Sequence, residues 1–293
     1  MSSASVLLER LLPRCTFPPR GESVTCALSG GPDSTALVAL AVAGGLDVTA
    51  VHVHHGLRES ADDDAAAAER IAGALGAPFR CEYAMLHPGP NLEARARAAR
   101  RDLIGADAAT GHTADDQAET LLLSLIRGSG ATGLAAMRPG PTHPILGLRR
   151  NETRSVCSTL GLRPVSDPSN DDRRFRRNRV RHELMVLLDD IAERDVGALL
   201  ARSADLLRAD DDLLDELASS IDPTDAKAVT AAPAPLARRA VRRWLTVEGY
   251  PPDAAAIQRV LDVAAGRTDA CEITGGRRIT RSNQRLSHFH LSS

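Results

Sequence analysis

Two short stretches of the chain combine residue types that could handle a nucleotide. SGGPDST, Ser29 to Thr35, follows an apolar run and opens a helical pattern. Two glycines let backbone N–H groups turn into one concavity, Ser29 and Ser34 add hydroxyls, and the helix that follows aims its positive end at an anion. Pro32 suits that position, because the first N–H groups of a helix lack internal partners anyway. The result is a cradle for pyrophosphate in which Ser29, Gly30, Gly31, Pro32, Asp33 and Ser34 would contact the nucleotide. A plain strand-to-helix turn capped by Ser29 or Asp33 is the competing explanation. The chain has no G-x-x-x-x-G-K-[ST], so nothing points to transfer of a γ-phosphoryl group.

GHTADDQAET, 111–120, is the second stretch. On a helix starting near Thr113, Asp115 and Glu119 lie four apart and Asp116 and Glu119 three apart, so one turn projects clustered carboxylates. Thr113 and Asp116 also satisfy a helix-capping signature, which accounts for Asp116 but not for Glu119 or His112. His112 is either a hydrogen-bonded strand-end residue or, as the family resemblance given below implies, a contact to ATP or the activated base. His52 and His54 share a strand face with His55 beyond. With no cysteine or third ligand spaced for a metal, they read as a nucleotide-pocket wall. In NLEARARAAR, Glu93, Arg97 and Arg100 form a helical stripe, which a salt-bridged surface helix would explain equally. Residues 163–182 hold seven arginines and three aspartates, and 273–293 hold four arginines and no acid. Either a solvated face or a grip on polyanion phosphates gives such clusters, and two of them beside a nucleotide site shift the balance toward RNA.

These residues need a scaffold. Ser23–Leu28, Asp47–His54, Phe79–Met85 and Ala106–Gly111 read as strands, separated by helical patterns near 34–44, 60–76, 91–105 and 113–127. Alternation of this kind predicts an α/β fold, a doubly wound parallel sheet with ligands at the strand carboxyl ends. A Gly-rich turn region follows residue 128, then a helix over 151–161 and a polar arginine-rich stretch. From 183 the pattern is mainly helical, including an acidic amphipathic segment over 193–225 with ten acids and three arginines. Gly275-Gly276 between alternating runs predicts a β-hairpin with one more strand. The expected domains are therefore 1–190, with the parallel sheet, and 191–293, smaller, mainly helical and ending in the hairpin; the family resemblance given below implies a catalytic role for the first and tRNA binding for the second.

Composition narrows the class. The 293 residues are 43% hydrophobic and 25% charged with net charge -2, which suits a globular chain of two domains. Aromatics make up only 2%, which argues against a surface that stacks many bases. Lys227 is the sole lysine, so 35 of 36 basic side chains are arginine. A GC-rich composition explains that excess as a whole, and only local clusters speak for function. The five scattered cysteines show no C-x-x-C, against a zinc ribbon, an iron–sulfur site or a disulfide framework. No apolar run is long enough for a bilayer and no cleavable leader is evident, so the expected location is cytoplasmic, with no membrane partner.

SGG-x-DS resembles the loop of the N-type ATP pyrophosphatases, the PP-loop superfamily. More narrowly, the chain resembles bacterial tRNA(Ile)-lysidine synthetases through SGGPDST, AVHVHHGLR (50–58), NLEARARAAR (91–100), GHTADDQAET, RGSGATGL (127–134) and DPSNDDRRFRRNRVR (167–181), in order. The resemblance implies a PP-loop, adenine nucleotide α-hydrolase-like fold and an ATP-dependent ligase. It would adenylate the wobble cytidine of the CAU anticodon of tRNA(Ile) and join free L-lysine to it. ATP and Mg2+ are the implied cofactors, with Mg2+ at Asp33. Asp33, Asp116 and Glu119 are implied as catalytic, and His52 and His112 would lie beside ATP. Glu93, Arg97, Arg127, Asn178 and Arg181 would bind substrates, and Arg173, Arg174, Arg176, Arg177 and Arg179 would grip RNA. A homodimer is the candidate assembly, and the layout suggests a short form without an additional C-terminal domain. A tRNA thiolase of the same superfamily is the nearest enzymatic alternative, although no cysteines are spaced for its sulfur chemistry. An ATP- and RNA-binding module without catalysis is the other.

Overall fold

A computed structural model describes residues 3–54, 56, 61–84, 92–165, 171–247, 251–273 and 275–290. Three parallel strands, β1 (Ser23–Ala27), β2 (Asp47–His54) and β3 (Phe79–Tyr83), stand in the order β1-β2-β3. The expected fourth strand over Ala106–Gly111 is reduced to one parallel bridge, Cys26 to Ala109. Ala27 N–H donates to the Ala109 carbonyl and Ala109 N–H to the Thr25 carbonyl, after which the chain turns away. That contact still delivers residues 110–113 to the carboxyl end of β1.

Alternation along the strands divides two cores. Val24, Cys26, Leu28, Val48 and Ala50 point into the larger one, built with α1 (Ser3–Leu11), α2 (Pro32–Ala43), α3 (Ala61–Ala74) and α7 (Arg150–Thr159). Ala27, Val51 and Val53 point the other way, toward Ile104 of α4 (Leu92–Ile104) and Ala108. Period-two burial with helices over both faces is the doubly wound arrangement expected from the alternating pattern. Side chains there are mostly Ala, Val and Leu, so the sheet and helices pack closely with few rings.

Further elements complete the first compact unit, which ends at Asp205. They are α5 (Ala114–Ile126), α6 (Ala131–Leu134), α8 (Arg176–Arg179), a π turn over Val180–Leu184, and α9 (Met185–Ala192). The second unit, Leu206–Ser293, begins within α10 (Val196–Ser219) because that helix runs unbroken through the division; the sequence suggested a boundary at 190/191. It contains α11 (Ala226–Ala231), α12 (Ala234–Leu245), α13 (Ala254–Ala264) and an antiparallel sheet of β4 (Ala270–Ile273), β5 (Arg277–Ser282) and β6 (Arg285–His290). Gly275 and Gly276, both at positive φ, join β4 to β5 as the hairpin signal required. Asn283 and Gln284 carry positive φ at the second turn. Val241, Leu245, Val260, Val263 and Ile279 are fully buried in this unit's own core. Among the described residues, no helix is long and apolar enough to cross a membrane.

Candidate active site

The SGGPDST loop leaves β1 and opens α2 with Gly31 as the N-cap residue, which makes no side-chain cap, while Gly31 N–H donates to the Ser29 hydroxyl at 3.5 Å. The expected alternative, a turn capped by Ser29 or Asp33, is met only by that one long bond to Ser29. The serines brace the loop instead. Ser34 Oγ donates to the Gly31 carbonyl at 3.0 Å and accepts from Ser29 N–H at 3.2 Å. Its one proton being used, Ser29 Oγ donates to it at 3.0 Å. Gly30 has φ +89, a left-handed conformation that strains any side chain, and its carbonyl accepts from Val165 N–H at 2.8 Å. The first turn of α2 is thus left with its amide groups and positive dipole available to an anion.

Gly111 docks the second motif against this loop. A Cβ there would lie 2.8 Å from the Asp33 carbonyl carbon and the Ser34 nitrogen, so only glycine permits the approach. Thr113 then caps α5: its N–H and its hydroxyl both donate to Asp116 Oδ2, at 2.9 and 2.8 Å. The capping explanation of Asp116 is correct for that oxygen. The other oxygen, Oδ1, faces Arg150 at 2.6 Å and Arg177 at 3.1 Å.

Glu119, one turn on and 1% exposed, is held by three arginines. Arg150 Nη1 lies 2.6 Å from Oε1, Arg177 Nε 2.8 Å from Oε2, and Arg181 bridges both oxygens at 2.7 and 3.2 Å. Asp33 accepts from Thr153 Oγ1 at 2.5 Å and has Arg150 Nε at 3.6 Å. Three carboxylates and three guanidiniums so form one balanced network. Burial pushes the pKa of Asp116 up, but Arg150, Arg177, His112 and the Thr113 N–H outweigh it and hold the group at about 2. Burial likewise raises Glu119, and hydrogen bonds from Arg181 and Arg150 bring it below its ordinary value. Asp33 goes the other way: burial raises it and its bond to Thr153 does not compensate.

Asp115 positions the most central arginine. Its Oδ2 accepts from Arg150 N–H at 2.9 Å and its carboxylate takes the Arg149 guanidinium at 2.9 and 3.0 Å, which pins the start of α7 to α5. Arg149 also pairs with Asp195, and Arg149 N–H donates to Glu152 at 2.8 Å. Nothing in the spacing of Arg149, Arg150 or Thr153 marks them for the site; the one cue is that arginine is an unusual N-cap residue.

Several expected residues take other places. Arg177, expected on an RNA-gripping face, belongs to the acid network, because α8 packs beside α5. Arg127 lies about 16 Å along α5 from Asp116 at 1.5 Å per residue and bonds Ser124 Oγ at 3.1 Å. Asn178 is buried and donates to the Asp172 carbonyl at 3.0 Å. His52 is buried with Nδ1 2.9 Å from the Leu28 carbonyl, tying β2 to the end of β1. His112 is half-buried, its charge acts on Asp116, and its Nδ1 lies 2.8 Å from Thr110 Oγ1. The backbone of Glu93 and Arg97 is helical in α4, while their side chains, like all of His55, lie outside the described residues. Arg173, Arg174 and Arg179 are exposed and pair with Glu183, Asp172 and Glu183, and among the described residues exposed Arg176 makes no ion pair.

For ATP, the loop supplies an anion cradle. For Mg2+, no three described His, Cys, Asp or Glu side chains form a cage. A magnesium ion carried on phosphates needs only one or two carboxylates. Asp33 suits that role, since burial disfavours its charge and a cation would relieve it. Asp116 and Glu119 are already saturated by guanidinium donors.

Comparison with known proteins agrees with this layout. Residues 6–188 match the family model of a PP-loop domain and residues 225–287 that of a TilS substrate binding domain. A tRNA(Ile)-lysidine synthase of Nocardia farcinica is 43% identical over 249 residues, covering 80% of this chain and 78% of the relative. That of Mycobacterium tuberculosis is 41% identical over 241 residues, covering 76% and 74%. Among solved structures, the U34-tRNA thiolase NcsA from Methanococcus maripaludis shares the fold with TM-score 0.53 at 16% identity, covering 70% of this chain and 78% of that one. With the phosphate loop, the acid network and both domain matches in one order along the sequence, the chain belongs to the tRNA(Ile)-lysidine synthase family.

Proposed function

We propose that the protein is a cytoplasmic ligase that activates the wobble cytidine of the CAU anticodon of tRNA(Ile) with ATP and joins free lysine to it. The observation that carries the reading is the contact of Gly111 with Asp33 and Ser34, which makes an anion cradle and a buried carboxylate network contiguous. In the first step the cytosine carbonyl oxygen attacks the α-phosphate of ATP. The head of α2 holds the leaving pyrophosphate, and Asp33 would hold Mg2+, which neutralises phosphate charge when bound. In the second step the lysine amine displaces AMP at the activated carbon.

Each step uses a property of the network. At pH 7 only about one lysine amine in 2,500 is uncharged, so the substrate arrives as an ammonium, with a penalty of about 4.6 kcal/mol for deprotonation. Asp116 and Glu119, kept ionised by arginines, are ready to receive that cation. An entering ammonium takes the place of a guanidinium, and the displaced arginine turns to phosphate, on AMP or on the tRNA. Arg150, Arg177 and Arg181 thus exchange carboxylates for phosphates as the substrates assemble.

Incubating the purified protein with labelled lysine, ATP and a CAU-anticodon tRNA is expected to release AMP and pyrophosphate and to label the tRNA. Binding of ATP and tRNA without AMP formation would sink the ligase in favour of a binding module. Thiolation is not favoured: no two described cysteines are paired, and burial lifts the Cys26 and Cys157 thiols to about 12 and about 11, far from reactive.

A further inference from the structure

Alternation along the C-terminal sheet separates its two faces. Ile273, Ile279 and Leu286 are buried in the core of the second unit, so the side chains between them stand on the opposite face. On β5 these are Arg278, Thr280 and Ser282, and on β6 Arg285, Ser287 and Phe289. The register sets Arg278 across from Phe289, Thr280 across from Ser287 and Ser282 across from Arg285. One ring, two guanidiniums and three hydroxyls therefore share this face, and neither strand adds a carboxylate to it.

Three of the four arginines in residues 273–293 hold the unit together. Arg277 Nη2 donates to the Leu245 carbonyl at 2.9 Å, Arg281 Nη2 to Gln284 Oε1 at 2.5 Å, and Arg285 pairs with Asp222 at 2.8 Å. Arg278 is exposed and, among the described residues, makes no hydrogen bond or ion pair. Its neighbour across the ladder, Phe289, is 58% exposed, more than Phe17, Phe79 or Phe175. Among the described residues no other ring packs on it. On β4 the same face carries Glu272, across from Arg278 on its other side. That carboxylate repels phosphate, so a polyanion is directed over β5 and β6. A protein partner would bury an apolar patch, whereas Phe289 stands alone among polar side chains. An open ring beside an uncommitted cation suits an unpaired nucleotide, whose base stacks on an aromatic face while its phosphate meets a guanidinium. Side chains directly opposite in a ladder have Cβ atoms about 5 Å apart, close enough for one nucleotide to meet both.

Resting on the tRNA named in the reading above, we infer that this face of the β4-β5-β6 sheet binds an unpaired nucleotide of the tRNA, its base stacked on Phe289 and its phosphate on Arg278. The hydroxyls of Thr280 and Ser287 lie next along the same two strands and donate to the adjoining sugar and phosphate.

The test is filter binding of a CAU-anticodon tRNA to the full-length protein across a salt series, as wild type, Phe289→Ala, Phe289→Leu, Phe289→Trp and Arg278→Ala. Affinity is expected to fall about 10-fold in Phe289→Ala and Phe289→Leu and to hold in Phe289→Trp. The log–log salt slope is expected to stay at its wild-type value in the Phe289 variants and to shrink by about 0.7 in Arg278→Ala, the value for one phosphate of a single strand. The indole introduced by Phe289→Trp, read against the wild-type emission, is expected to be quenched by tRNA. Wild-type affinity in Phe289→Ala or Phe289→Leu, or an indole emission that tRNA leaves unchanged, overturns the inference. Both side chains are exposed, so the core is untouched by these changes, and the quenching reads the contact with a ring still in place. None of these measurements requires turnover. The expected binding pattern without lysine transfer defeats the ligase reading and leaves the RNA face standing, whereas lysine transfer with full affinity in Phe289→Ala defeats only the face. A wild type that binds no tRNA defeats both.

Discussion

Glu119 carries the largest single consequence. It is fully buried against three guanidiniums, so Glu119→Gln leaves positive charge without its partner in a desolvated site. Breaking one side of a buried ion pair costs about 3–5 kcal/mol, and a denaturant titration is expected to show a loss on that scale together with loss of lysine transfer. Asp33→Asn is expected to act differently. Its carboxylate is disfavoured by burial, so stability holds while AMP release falls, as calorimetry and a pyrophosphate assay would show. The two kinds of carboxylate also respond oppositely to pH. Asp116, lowered from 3.8 to about 2, contributes stability that is complete above its unfolded pKa and lost as pH falls through the interval between those values. Asp33, raised, opposes that loss, because protonation is easier in the folded state. Unfolding free energy measured from about pH 6 down to about pH 2 is expected to fall for wild type and to fall less for Asp116→Asn. Asp116 and Glu119 were legible in the sequence because they lie one helical turn apart. Arg150 was not, since its partners are more than thirty residues away and no local spacing encodes such a pairing.

At the scale of elements, the contact between the loop after β1 and the segment before α5 decides whether the site exists. Gly111→Ala drives a methyl group into the Asp33 carbonyl and the Ser34 nitrogen, and backbone there has little freedom to retreat. Misplacement by about 1 Å costs on the order of 100-fold in rate, so this variant is expected to fold, to bind ATP weakly and to form little AMP. The alternating strands and helices around this contact were readable from periodicity, since burial on both faces and helix amphipathicity are local properties. Ala106–Gly111 misled because its residues resemble a strand while only Ala109 pairs with β1. The arginine-rich stretch misled in another way. Composition describes Arg173, Arg174, Arg176, Arg177, Arg179 and Arg181 as one basic cluster, yet α8 and the π turn direct Arg177 inward beside Arg181, the arginine assigned to the substrates, and leave Arg176 in solvent. Facing is set by packing against α5, which no count of charges contains.

For the whole molecule, the net charge of -2 conceals opposite regions: a basic stretch at 163–182 and an acidic one at 193–225. If exposed arginines meet tRNA phosphates, affinity falls with salt, and each phosphate contact contributes about one unit to the log–log slope. Arg176→Ala is expected to lower that slope by about 1 with the chemical step intact, whereas Arg177→Ala is expected to stop lysine transfer. Filter binding across a salt series, paired with the transfer assay, separates the two arginines. The composition that opened this question has a last consequence in the acid network. A side chain parked on carboxylates beside an activated base must not react with it. A guanidinium stays protonated above pH 12 and offers no nitrogen lone pair, while an ammonium could shed a proton and attack. Using arginine to occupy the site therefore protects the chain from joining itself to its own RNA, and leaves the incoming amino acid as the nucleophile.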